Sequence, residues 1–174
     1  KDLEFAPGSK YSYTNLGYTL LGFIIGNQTQ TSYGEYIRHN ILDPMKMASS
    51  RIHVVGHVPA EGEADGLRWS DQQTMHVPDE VVMLPVTEPD GGLITTLADF
   101  AKWSRIFSGG DQTILSQDSI DLMSSPKIAI GNGGPLDSMG YGLFVGDRLI
   151  GHGGLIVGFS SQFVFDRESR SLIA

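Results

Sequence analysis

The last third of the chain most narrows what it can become. "YGLFVG", "RLIGHGG", "FSSQFVFD" and "RSLIA" are short β-rich runs divided by Gly-Asp and Asp-Arg-Glu-Ser turns. Runs of that kind pair with their neighbours in the chain. The segments ahead of them carry helical rather than alternating periodicity. Helices first and antiparallel strands afterwards predict an α+β fold, a helical subdomain followed by an antiparallel sheet that closes the chain as a meander. Residues 1–174 then form one partial domain: a helical part at about 10–50, loop and helices at 51–125, and antiparallel strands at 139–174.

Local signals place the helices. Thr14 or Asn15 caps a helix running through Leu16, Leu20, Leu21, Phe23, Ile24 and Ile25 to about Asn27. Ser32 and Glu35 have the spacing of a capping box, and Tyr33, Tyr36, Ile37 and Ile41 share a face of the helix they open, which Asp43-Pro44 stops. "RIHVVGHV" predicts a strand, and the rest of Ala48–Pro89 reads as a long loop of the kind that carries function. "PDGG" predicts a turn. Thr96 and Asp99 start a third helix, with Leu97, Phe100, Ala101, Ser104 and Phe107 along one side. Ser116 caps a fourth.

Composition closes off several functions. The net charge of −8 comes with no Lys/Arg cluster, which argues against a nucleic-acid surface. The most apolar stretch, Leu16–Ile25, is broken by glycines and falls short of the roughly 18–20 residues that span a bilayer. With no cysteine, disulfides and thiol catalysis are excluded. The chain ends inside a strand-like run, and a cut there leaves backbone groups unpaired. It therefore reads as part of a longer fold.

Two short stretches carry candidate chemistry. In "YSYTNLG", Tyr13 and Asn15 stand two apart at a helix entrance. A phenol there relays protons if its pKa is drawn down from about 10, and a carboxamide orients a carbonyl or an ammonium. The alternative is a packed tyrosine followed by an asparagine cap. In "GHGGLIVGFSS", His152 among glycines predicts an edge strand against which a ligand lies, with an N–H free to serve an oxyanion hole. The alternative is a glycine-rich hairpin bearing a surface histidine.

Metal and serine chemistry are harder to place. His53 and His57 on a strand would stand about 13 Å apart, too far for one ion, so no metal site and no cofactor are expected. The single Ser-x-x-Lys, Ser124 to Lys127, follows a helix, contains Pro126 and leads into a Gly-rich loop. It reads as a helix end rather than a nucleophile, and there is no G-x-S-x-G elbow.

In combination these stretches resemble the serine β-lactamase and penicillin-binding-protein superfamily, in its branch of class C β-lactamases, D-alanyl-D-alanine carboxypeptidases and related esterases. "FAPGSKYSYTNLGYTLLGFII", "YGEYIRHNILDPMKM", "PDGGLITTLADFAKWSRIFSGG", "ILSQDSIDLMSS", "MGYGLFV" and "GHGGLIVGFSSQFVFD" follow the family's order almost from end to end. The resemblance implies a serine hydrolase that forms an acyl-enzyme. Tyr13 would move protons to and from the nucleophile and leaving group, and Asn15 would position the catalytic lysine and the substrate amide. His152 stands where many members carry lysine, with Gly153 and Gly154 completing the triplet and the Leu155 N–H forming part of the oxyanion hole. The implied partner is a small-molecule or peptide substrate: a β-lactam, a D-amino-acid peptide or an ester. The family's first motif, Ser-x-x-Lys, lies well upstream of Tyr-x-Asn, so the serine is expected outside these residues, in a missing N-terminal segment of the same fold. A non-catalytic binding or regulatory module that keeps the cleft is the alternative.

Overall fold

A computed structural model describes residues 3–54, 56, 57, 59, 61–71, 73–77, 88–109 and 111–174. It divides into two units. One comprises Lys1–Tyr13, Ala101–Gly153 and Gln162–Ala174, the other Thr14–Phe100 and Gly154–Ser161.

The second unit opens with α1 (Leu16–Thr29), closed by Gln30 in the left-handed conformation, whose N–H donates to Gly26 O. Of its side, only Thr19 and Gly22 are buried. Gly22 is required because α3 (Glu88–Gly91) crosses there: a Cβ on Gly22 would stand 2.7 Å from Pro89 Cβ and nearer still to Cγ. The predicted capping box forms. Ser32 Oγ accepts from the Glu35 N–H at 3.2 Å, and Glu35 Oε2 accepts from the Ser32 N–H at 3.2 Å. It opens α2 (Tyr33–Ile37), which widens into a π turn over Arg38–Leu42. Leu42 at the end of this turn, and Met45, Met47 and Ile52 beyond it, are buried.

The expected strand at "RIHVVGHV" is shorter than predicted. β1 (Arg51–Ile52) pairs antiparallel with β4 (Leu93–Ile94) and stops, while Val55 and Val58 lie outside the described residues. Part of the predicted long loop is a hairpin, β2 (Leu67–Ser70) on β3 (Gln73–His76). Next comes α4 (Leu97–Ser104). Its start forms as expected, Thr96 Oγ1 accepting from the Asp99 N–H at 3.2 Å, but Leu97, expected along the packed side, is exposed, while Asp99 is buried. Asp99 Oδ2 accepts from the Ser49 N–H at 2.7 Å and the Ser50 hydroxyl at 2.9 Å, which satisfies a carboxylate that would otherwise be costly to bury.

The first unit is built on the strands. After a 3-10 turn at Arg105–Ser108, α5 (Gln117–Met123) is capped by Ser116, whose Oγ accepts from the Ser119 N–H. The strands β5 (Ile128–Ala129), β6 (Ser138–Met139), β7 (Phe144–Val145), β8 (Leu149–Ile156), β9 (Phe159–Asp166) and β10 (Ser171–Ile173) lie in chain order across one sheet. This is the predicted meander. Its core is Leu143, Val145, Ile150 and Phe165, with Phe107, Met123, Phe163 and Leu172 packed against them. Trp103 meets Phe107 and Phe163 edge-on at 5.0 and 5.8 Å. Arg148 and Asp166 form an ion pair that holds the Asp166 carboxyl well below the usual carboxylate range.

The turn between β8 and β9 belongs to the second unit. Gly158 has φ +89°, and a Cβ on it would stand 2.9 Å from Gly66 Cα, so only glycine turns the chain there. The Leu67 N–H donates to Gly158 O at 3.1 Å, and Phe159 lies over Gly66.

Candidate active site

β8 is not the edge strand that its glycines predict, for it lies between β7 and β9. The prediction holds only locally. The β7 ladder pairs Phe144 with Gly151 and Val145 with Ile150 and reaches no further, so His152 to Ile156 run on beyond it. That is where the candidate triplet lies.

In the first unit the structure brings Tyr13 and His152 together. Their ring centroids are 6.4 Å apart with planes tilted by 40°, and Tyr13 is 56% exposed. On the imidazole a second aromatic ring is stacked, that of Phe144, at 5.0 Å and 19°. His152 Nδ1 stands 2.6 Å from the carbonyl oxygen of Gly153. A carbonyl only accepts, so Nδ1 donates, and in the neutral ring Nε2 keeps the lone pair. Two proton-exchanging groups of different character, a phenol and an imidazole, thus lie side by side.

In the second unit Asn15 precedes α1 with φ −72° and ψ −34°, and its side chain makes no capping hydrogen bond. The Leu16 N–H is instead taken by Thr14 Oγ1 at 3.2 Å. The asparagine is exposed, and its carboxamide is not engaged in holding the helix start. Gly154 has no room for a side chain, since a Cβ there would stand 2.5 Å from Ser161 Oγ. Leu155 is 85% exposed.

The rejected candidates take structural roles. Ser124 is 5% exposed and ends α5, its hydroxyl donating to Ile120 O at 2.7 Å. Lys127 Nζ lies over the Tyr141 ring, 5.4 Å from its centroid. His53 is buried, with its backbone N–H donating to Gly92 O, while His57 joins Arg51 around the Glu63 carboxylate. No group of three or more metal-ligating side chains occurs among the described residues. Phe144 was not singled out by sequence reasoning. The signal for it was the pairing of "YGLFV" with "RLIGHGG", which sets this ring beside the histidine strand.

Comparison with known proteins decides the family. A family model described as Beta-lactamase matches residues 1–174. The chain belongs to the beta-lactamase family. This beta-lactamase-family chain is 27% identical over 173 residues to a D-aminopeptidase of Gluconobacter oxydans (strain 621H), covering 93% of itself and 30% of that relative. An octameric penicillin-binding protein homologue from Pyrococcus abyssi superposes with a TM-score of 0.79 at 28% identity, over 94% of this chain and 37% of that one. A D-amino acid amidase from Ochrobactrum anthropi SV3 does so with a TM-score of 0.75 at 27% identity, over 94% and 48%. The chain therefore spans between 30% and 48% of the length of these relatives.

Proposed function

We propose that this chain carries the proton-relay and carbonyl-binding part of a serine hydrolase that acts through an acyl-enzyme on amides of D-amino acids, with the nucleophilic serine outside these 174 residues. The observation that carries the reading is the Tyr13–His152 pair, with a half-exposed phenol beside an imidazole whose Nε2 is unprotonated when the ring is neutral. The two relatives named for D-amino-acid substrates support the amide over the β-lactam and the ester. Asn15 adds to it, because a carboxamide spared from capping is available to a substrate amide and to the lysine beside the serine.

In this reading the serine oxygen attacks the scissile carbonyl and loses its proton to Tyr13, which passes it to the departing amine nitrogen. The Leu155 N–H donates to the oxygen that becomes negative in the tetrahedral intermediate. Water then attacks the ester carbonyl and gives its proton through Tyr13 to the serine oxygen, so that the C–O bond to serine breaks and the carboxylic acid leaves. Gly153 and Gly154 keep the strand open to the substrate backbone. The apolar residues exposed on α1 support the view that further chain of the same fold, the part bearing the serine, covers that helix.

Intact mass after treatment with a fluorophosphonate tests this. The 18.9 kDa chain should take no adduct, and the polypeptide at its relatives' length should take one. The longer protein should also cleave D-alanine p-nitroanilide in preference to the L-enantiomer and lose at least about 100-fold in kcat with Tyr13→Phe, the scale of a lost acid–base group. No adduct on the longer protein would leave the non-catalytic binding module. Ser124, buried and tied to Ile120, is the observation that favours this second reading for the 174 residues alone.

A further inference from the structure

The hydrogen bond from His152 to Gly153 O requires the imidazole to lie in one plane. A neutral histidine has two tautomers, and the one it adopts is set by the hydrogen bond that its other nitrogen makes. Here the Nδ1–H reaches the carbonyl of the next residue at 2.6 Å, a contact that a modest rotation of the ring about its Cβ–Cγ bond would break. Phe144 is placed to prevent that rotation. Its β-ladder partner is Gly151, the residue just before His152. The phenyl face lies against the imidazole of that following residue, 5.0 Å between centroids and 19° from parallel. Tyr13 adds a second aromatic neighbour at 6.4 Å, tilted by 40°, and so does not set the plane.

We propose that Phe144 is a positioning residue that fixes the plane of His152, so that Gly153 O selects the Nδ1–H tautomer and Nε2 becomes the atom that gains and loses the proton. His152 is then not a stand-in for a permanent ammonium. In its neutral form it has one defined basic atom, Nε2. The inference deepens the hydrolase reading and rests on it for the use to which Nε2 is put, whereas the tautomer itself can be read without any substrate.

The experiment is two-bond ¹H–¹⁵N correlation of the histidine rings in the uniformly labelled 174-residue chain, at a pH about two units above histidine's usual ~6.5. His152→Gln assigns the resonance among the five histidines. The wild type should show a protonated Nδ1 and an unprotonated Nε2 at His152. Phe144→Tyr should preserve that pattern, and Phe144→Leu should move both nitrogens toward tautomer-averaged shifts. The backbone amides of Ala101–Gly153 and Gln162–Ala174, the unit that holds Phe144, report the fold. If the leucine variant disturbs them, Phe144→Met, closer in volume and without a π face, decides in its place. An Nε2–H tautomer in the wild type, or an unchanged pattern in the variant that keeps the fold, overturns the proposal. Failure of the longer protein to take the fluorophosphonate adduct would remove the hydrolase reading and leave this spectrum as it is.

Discussion

Gly22 shows how one missing methyl can set the approach of two elements. Alanine would favour the α1 helix by up to about 1 kcal/mol on propensity alone. Its Cβ would also stand 2.7 Å from Pro89 Cβ, so one of the two helices must move. Overpacking of that kind costs about 1–3 kcal/mol and outweighs the propensity. Gly22→Ala should therefore lower the midpoint of urea unfolding, and a raised midpoint would show that α3 yields freely. Glu88, in the same crossing, carries a pH dependence. Burial raises its pKa, and attraction to His53 offsets only part of this. An acid with a raised folded pKa has no penalty below its unfolded value of ~4 and a growing one as pH rises through the folded pKa. Glu88→Gln should then raise the Tm at pH 7 and leave it unchanged well below pH ~4. A Tm gain of equal size at both pH values would refute the assignment.

Elements that announce themselves through caps were legible in the sequence, and those that depend on distant partners were not. The Ser32–Glu35 box and the Ser116 cap both form where the spacing put them, because each is completed within four residues. Ser32→Ala should lower stability by about 1 kcal/mol in denaturant titration, with the loss traced to α2 by faster amide exchange at Glu35 and Tyr36. A cost near zero would mean that packing alone holds the helix start. The two-residue strands β1, β4, β5 and β6 are too short to show any period. The β2–β3 hairpin was missed because it turns at Asp71 with φ +48° rather than at the Asn-Gly or Asp-Gly pair that marks such turns. The site divides in the same way. Tyr13 and His152 stand out by residue type, whereas Phe144 matters only through the β7–β8 register, which no local pattern reveals.

At the scale of the whole chain, the least balanced feature is α1. Leu16, Leu20, Leu21, Phe23 and Ile24 are all more than half exposed, although the helix is apolar almost throughout. A helix with that character is ordinarily covered, and contiguous apolar surface of several hundred Å² marks a place where something docks. Relatives that match nearly all of this chain are between two and more than three times its length, so they have chain to spare for such a cover. A hydrophobic dye should therefore brighten with the 174-residue chain and much less with the longer polypeptide. Leu20→Lys with Phe23→Lys should abolish most of that brightening without lowering the Tm of the short chain, since neither side chain is buried in it. If the double variant instead unfolds the short chain, α1 is already packed on its apolar side. If the dye brightens equally with the long and short proteins, the cover lies elsewhere, and the argument that the serine-bearing segment packs on α1 fails with it.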